Sequence, residues 1–375
     1  MKKAGIYIHI PFCKIKCMYC DFYSITKRKN DMPIFIDMLI KEIKNTAKSF
    51  NHDWVFNTIF FGGGTPSLLK SHWITRILDT LNSCFNLDME KEITLETNPG
   101  EVSLKDLMSF KKSGINRISL GCQSLQPELL KFLSRIHSPE DSVNTFKNAR
   151  KAGFENINMD LIFNIPGQTI DQWKNDLKQI VKLQPNHISA YSLTVEPNTI
   201  LYNQIHKGNI SMPSENVDLQ MFEYAQDYLN KNNYKQYEIS NYAINGKECK
   251  HNLHYWNLNP YLAFGPSAHG YDGKIRWWNV SSLDKYMEKI KDGKSPISGQ
   301  ETLNNNEHFN EIIFNGIRTI NGIQLNKLNS LSISSNILNT SIKKWTNELK
   351  VTNKFITLKK EAYKFADEIA SDMMV

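Results

Sequence analysis

Tyr7-Ile8-His9-Ile10-Pro11-Phe12-Cys13-Lys14-Ile15-Lys16-Cys17-Met18-Tyr19-Cys20-Asp21-Phe22 sets three thiols at CxxxCxxC spacing behind a short apolar stretch, Ile6–Ile10. Three cysteines can hold three irons of a cubane cluster, where full protein ligation takes four. No fourth cysteine stands nearby, and neither Asp21 nor Phe22 suits the role, so one iron would stay open to a small molecule. Cys84, Cys122 and Cys249 are scattered and build no second pair of the kind a structural zinc site wants. Six cysteines in 375 residues without a secretory signal do not read as a disulfide framework. Zinc or structural thiols stand as the alternative to a cluster.

Outward from the triplet, the first half alternates strand and helix. Short apolar runs at Gly5–Ile10, Thr58–Phe61, Ile93–Glu96, Arg117–Leu120, Asn156–Phe163 and His187–Leu193 read as strands. Between them, 3.6-period apolar faces mark helices, such as Ile36, Leu39, Ile40, Ile43 and Ala47 within 31–50. Ser103/Asp106 and Thr169/Gln172 have capping-box spacing, and Ser138-Pro139 opens another helix. Six βα-type units with short connections predict an α/β fold, a parallel sheet curled into a partial (βα)6 barrel. The unusual residues fall at or just beyond the strands' C-terminal ends. They include the thiols, Gly62-Gly63-Gly64-Thr65-Pro66, Glu96, Gln123 and Asp160–Gln168. Barrel enzymes place their ligands on that face. The glycine run lacks a P-loop lysine, and its missing Cβ atoms let backbone approach a ligand. Tyr19 could cover a flat ring at the triplet, or simply pack on its own turn.

After about residue 195 the alternation lapses. The expected organisation is a barrel core over 1–240, a His- and aromatic-rich segment over 241–300, and a smaller, mainly helical, winged-helix-like domain over 301–375. The middle segment holds His251-Asn252-Leu253-His254-Tyr255-Trp256. Its imidazoles and aromatic rings could serve a functional site, with core hydrogen bonding as the alternative role.

The motif from Tyr7 to Phe22 resembles the start of radical S-adenosylmethionine (SAM) proteins. Within them it is similar to the anaerobic coproporphyrinogen III oxidase family and its heme-chaperone branch, HemW. The later motifs extend the resemblance over nearly the whole chain. It implies a [4Fe–4S] cluster on Cys13, Cys17 and Cys20 with SAM at the open iron. Gly63, Gly64 and Thr65 would meet the methionyl group, and Tyr7, Glu96, Gln123, Arg135 and Asp160 would take further SAM-site roles. His251 heads the branch's HNxxYW pattern and is the candidate heme ligand, ahead of His254. Two departures from the oxidase favour the chaperone branch: Phe22 replaces a further cysteine, and few residues precede Tyr7. The implied function is heme binding and delivery to acceptor proteins, including respiratory, membrane-associated ones. The alternative is an oxygen-independent coproporphyrinogen III oxidase.

Composition narrows the setting. Hydrophobic residues make up 41% and charged ones 22%, ordinary for a globular chain. The net charge of +7 is spread out, without a dense basic run and interleaved aromatics, so nucleic acid is not expected. No apolar run reaches the roughly 18 residues of a membrane span. Met1–Gly5 leads almost at once into a strand and leaves no room for a signal peptide. Reduced thiols and a cluster fit the cytoplasm, with peripheral contact at the inner membrane face and a homodimer left open.

Overall fold

A computed structural model describes residues 1–331, 333 and 336–375. Its frame is six parallel strands in chain order: β1 (Lys2–Ile10), β2 (Trp54–Gly63), β3 (Leu87–Thr97), β4 (Arg117–Gln123), β5 (Asn156–Phe163) and β6 (His187–Ser192). Helices α1 (Met32–Ser49), α2 (Ser71–Cys84), α3 (Leu104–Lys112), α4 (Pro127–Phe132), α5 (Pro139–Lys151) and α6 (Ile170–Leu183) join them. The partial (βα)6 barrel expected from the alternation is therefore present.

The crossovers form where local chemistry marks them. Ser103, Ser138 and Thr169 each close a capping box, with Asp106, Asp141 and Gln172 as the return partners. Phe35, Ile36, Leu39 and Ile43 of α1 are fully buried and pack in the same core as Ile6, Ile8 and Ile10 of β1. Burying a side chain of this kind contributes roughly 1.5–3 kcal/mol, so this layer holds the helices to the outside of the sheet. The expectation omitted α4, a six-residue helix between β4 and α5.

Beyond β6 come α7 (Ile200–His206), α8 (Glu215–Lys231), β7 (Lys235–Gln236), β8 (Asn241–Ala243) and α9 (Lys250–Trp256). Strands β9 (Tyr261–Phe264), β10 (His269–Tyr271), β11 (Ile275–Asn279) and β12 (Ile297–Thr302) follow, with α10 (Leu283–Lys291) before β12. The sheet order is β12-β11-β10-β9-β1-β2-β3-β4-β5-β6-β8-β7. Thus the aromatic-rich stretch extends the barrel sheet. β9 lies parallel to β1, pairing Tyr261 with Gly5, and β10–β12 add antiparallel strands. Glycine makes room for the tryptophans. A Cβ on Gly270 would sit 2.3 Å from the Trp277 ring, and one on Gly299 2.5 Å from the Trp278 ring. As a result β1, which leads into the thiols, is an interior strand paired on both edges.

The C-terminal part has its own apolar cluster, including Ile313, Ile317, Ile356 and Ile369. It comprises α11 (Asn305–Ile317), α12 (Leu325–Asn329), α13 (Asn336–Lys344), α14 (Ala366–Met373) and a small sheet of β13 (Ile323–Gln324), β15 (Phe355–Leu358) and β14 (Leu349–Val351).

Candidate functional site

One cavity of about 590 Å³ occupies the barrel, and the three thiols, the nine SAM candidates and His251 border it, while His254 is not in its lining and lies 2.8 Å from Asn57 Oδ1. That volume lies within the usual range for small-molecule sites.

The thiol loop is fixed by backbone bonds. Cys13 N–H donates to Ile25 O at 2.9 Å and Ile25 N–H to Pro11 O at 2.7 Å. Across to the glycine run, Gly64 N–H donates to Ile10 O and Thr65 N–H to Phe12 O, both at 2.8 Å. The glycines serve this contact. A Cβ on Gly64 would lie 2.7 Å from Phe12 O, and one on Gly63, whose φ is +106°, would lie 2.5 Å from the His9 ring. Close approach of protein to protein thus demands glycine here, in addition to any ligand contact.

Cys13, Cys17 and Cys20 are free and partly exposed. Burial raises the Cys13 thiol and pushes Cys20 up to about 11. Two donors face the sulfurs: Thr65 Oγ1, 3.5 Å from Cys13 Sγ, and Arg135 Nη1, 3.6 Å from Cys17 Sγ. Arg135 Nη2 also donates to Asn98 Oδ1 at 2.6 Å and Gly121 O at 2.8 Å, and Asn98 Nδ2 donates to Thr65 Oγ1 at 3.0 Å. A continuous chain, Cys17–Arg135–Asn98–Thr65–Cys13, therefore spans the loop. The short α4 sets Arg135, whose N–H caps Leu130 O at 2.9 Å. Among the described residues, no three His, Cys, Asp or Glu side chains are grouped closely enough to share one metal ion. A polynuclear cluster asks less, since each of its metal atoms takes its own thiolate. The donor set, three thiols on one cavity with a cation and a hydroxyl facing them, fits such an anionic group.

Two carboxyls lie deeper. Glu96 Oε2 accepts Gly63 N–H at 3.2 Å, and burial, with Asp160 adding to it, pushes its pKa up to about 8. Asp160 accepts Ser119 Oγ at 3.0 Å and Asn158 Nδ2 at 2.7 Å, and burial raises it too. Gln123 ends β4 at φ +67°, beside a register shift between Gly121 and Gln123. A non-glycine residue there is uncommon and marks a site worth attention. Tyr7 OH donates to His9 Nδ1 (3.1 Å), because His9 Nε2–H is given to Tyr23 O, and its ring stacks with Phe60, which stacks with His251 at 5.1 Å. Tyr19 borders the cavity and packs on the Met18, Leu129 and Leu133 cluster.

His251 borders the cavity with both ring nitrogens engaged. Nδ1 lies 2.8 Å from Thr58 Oγ1 and Nε2 2.8 Å from Tyr255 OH. In either tautomer one nitrogen carries the proton and the other accepts from a hydroxyl. Burial holds it well below its ordinary pKa, hence neutral. As folded, this imidazole has no free lone pair for iron.

Missing from the candidates were Asn98 and the inner face of the strands: Arg117 and Ser119 on β4, Asn158 on β5, and His187 and Ser189 on β6. Their signal was the alternation in Arg117-Ile-Ser-Leu-Gly-Cys-Gln123 and His187-Ile-Ser-Ala190. Parallel strands buried on both faces read as continuous apolar runs. Polar residues at every second position mean that one face meets a polar environment, which in the curled sheet is the cavity.

Residues 7–180 match the Radical SAM superfamily. The fold is that of coproporphyrinogen III oxidase (HemN) from Escherichia coli, a radical SAM enzyme, with a TM-score of 0.85 at 21% identity, covering 100% of this chain and 90% of that one. A partial barrel with this thiol loop is the architecture of a radical SAM protein, a class that implies SAM and a [4Fe–4S] cluster. Heme chaperone HemW of Bacillus subtilis is 36% identical over 325 residues, 86% of this chain and 85% of its own. HemW of Escherichia coli is 37% identical over 72% of each chain. Radical S-adenosyl methionine domain-containing protein 1, mitochondrial, of Danio rerio is 32% identical over 86% of this chain and 74% of its own. The chain belongs to the HemW family of the radical SAM superfamily.

Proposed function

We propose that this chain binds heme and passes it to acceptor proteins, with a SAM-liganded [4Fe–4S] cluster on Cys13, Cys17 and Cys20. The supporting observation is that relatives named heme chaperones align along most of the chain, while the three thiols, the candidate SAM residues and His251 border one cavity. When bound, the cluster would offer its open iron to the amino and carboxylate groups of SAM.

The chain's residues then have distinct tasks. Arg135 and Thr65 direct N–H and O–H toward sulfur and favour its anionic form. Glu96 and Asp160 are carboxyls held toward the neutral form by burial; a cationic guest, with an ammonium and a sulfonium, draws both toward the charged form. Gly63, Gly64 and Thr65 hold the loop and would wall the methionyl end; Tyr7, Gln123 and Tyr19 would complete the wall. His251 enters as a wall residue, since ligating iron would cost it a hydroxyl bond worth about 1 kcal/mol.

Phe22 stands at the cavity mouth, 64% exposed, where the oxidase has a further cysteine. The shared fold with the oxidase, at low identity, does not by itself argue for decarboxylation. Among the described residues no helix is long and apolar enough to cross a membrane, so contact with a membrane-bound acceptor would be peripheral.

Anaerobic reconstitution followed by heme titration under reducing conditions tests the reading, alongside incubation with reductant, SAM and coproporphyrinogen III. Heme uptake without vinyl-bearing product is the expected result. Absence of uptake refutes the carrier, and vinyl product moves the chain to the oxidase.

A further inference from the structure

The cavity has a floor as well as a mouth, and the floor carries an unpaired cation. Arg117 is the first residue of β4, and it shares the cavity face with Ser119, Gly121 and Gln123. It is 2% exposed, and its Nε has no partner. Among the described residues its guanidinium makes no hydrogen bond and no ion pair. Glu92 and Asp160, the carboxylates whose charge it feels, make no hydrogen bond or ion pair with it. Glu92 accepts the His251 N–H at 3.3 Å, at the start of α9. Asp160 is taken by Ser119 and Asn158.

A buried guanidinium without a partner is costly, and proteins retain such a group where an anion meets it. Its planar fork suits a carboxylate through two parallel N–H···O bonds. Gly121, whose carbonyl accepts Arg135 beside Cys17, lies four residues further along the same strand. At ~3.3 Å per residue the Arg117 backbone lies about 13 Å along the strand from Gly121. A guest that fills the barrel therefore meets sulfur and cations at the mouth and a carboxylate receptor at the base.

We infer that Arg117 is the carboxylate anchor of the barrel floor and holds an acidic side arm of the guest. The inference rests on the heme reading above, in which that arm is a propionate of the tetrapyrrole.

Two measurements on the reconstituted full chain test it. Wild-type protein is titrated with heme and with heme dimethyl ester, whose propionates are capped. Thermal melting is followed with glutarate and with its neutral counterpart glutaramide. Both are repeated on Arg117→Gln, and on Arg117→Lys where the first does not fold. Heme is expected to bind about tenfold or more tighter than the diester, a preference the glutamine variant loses. Glutarate is expected to raise the wild-type melting temperature, and glutaramide to leave it unchanged.

Equal binding of acid and diester overturns the anchor and leaves the heme reading standing. No binding of either, with glutarate still stabilising wild type but not the variant, keeps the anchor and removes heme as its guest. A glutarate effect or an acid preference that survives in Arg117→Gln places the carboxylate elsewhere and overturns the anchor. So does a wild type indifferent to both glutarate and heme.

Discussion

Gly64→Ala should loosen the thiol loop from the barrel and lower cluster retention. The added methyl would lie 2.7 Å from Phe12 O, 2.9 Å from Ile10 O and 2.9 Å from the Pro11 carbonyl carbon, where ordinary contact starts at 3.4 Å. All three are backbone atoms of the segment leading into Cys13, so no side chain can swing away. Relief requires the two chains to part, lengthening the 2.8 Å bonds Gly64 N–H to Ile10 O and Thr65 N–H to Phe12 O. Weakening two such bonds, at about 1 kcal/mol each, together with overpacking, costs roughly 2–3 kcal/mol. With an unfolding entropy near 2.1 cal/mol/K per residue over 375 residues, that lowers Tm by about 3–4 °C. The assay is thermal melting plus iron and sulfide per chain after anaerobic reconstitution. Gly153→Ala is the control: nothing lies within 4 Å of its added Cβ, and only its φ of +88° is strained, at about 1 kcal/mol. It should lose stability without losing iron. If Gly64→Ala melts with wild type and binds a full complement of iron, the close approach does not hold the thiols.

Three further outcomes follow from named contacts. Cys17→Ser should abolish the visible absorption of the reconstituted protein while leaving the melting of the unreconstituted chain close to wild type, because the triplet sits on a partly exposed loop; wild-type iron content would place the ligands elsewhere. His251→Ala should strand the Thr58 and Tyr255 hydroxyls and cost about 2–4 kcal/mol in urea unfolding, with heme stoichiometry kept; lost heme binding at unchanged stability would make His251 the iron ligand. Glu42 accepts Gly265 N–H at 2.9 Å, Asn279 Nδ2 at 2.7 Å and Tyr286 OH at 2.5 Å, yet burial pushes its pKa from 4.5 up to about 7. A raised carboxyl pKa favours the folded state at low pH, and that stability is lost as pH rises through 7. Relative to Glu42→Gln, wild type should therefore lose about 3 kcal/mol between pH 4.5 and 7.5; a difference independent of pH would show that this carboxylate is charged throughout.

The sequence by itself determined the βα alternation, the helix starts and the thiol triplet, because each depends on neighbours a few residues apart. Capping boxes span three residues, and the helix faces repeat within one turn. It could not set strand lengths. Ile93–Glu96 grows to Leu87–Thr97 because β2 pairs with Leu87 and Glu92 across a polar run, and β4 pairs with Thr97. Nor could it place the aromatic-rich stretch: β9 joins β1 across more than 250 residues, and Gly270 and Gly299 show their purpose only under Trp277 and Trp278. The polar inner ladder was legible as alternation, yet alternation alone does not tell a cavity wall from a solvent face; curling the sheet decides it. Tertiary structure alone decided the polar chemistry. Arg135 reaches Cys17 from 118 residues away, Thr58 claims the His251 ring from 193 away, and Arg117 is left unpaired because its nearest carboxylates found other donors. Hydrogen-bond partners are chosen by distances of about 3 Å, and only the folded chain sets those between residues so far apart in sequence.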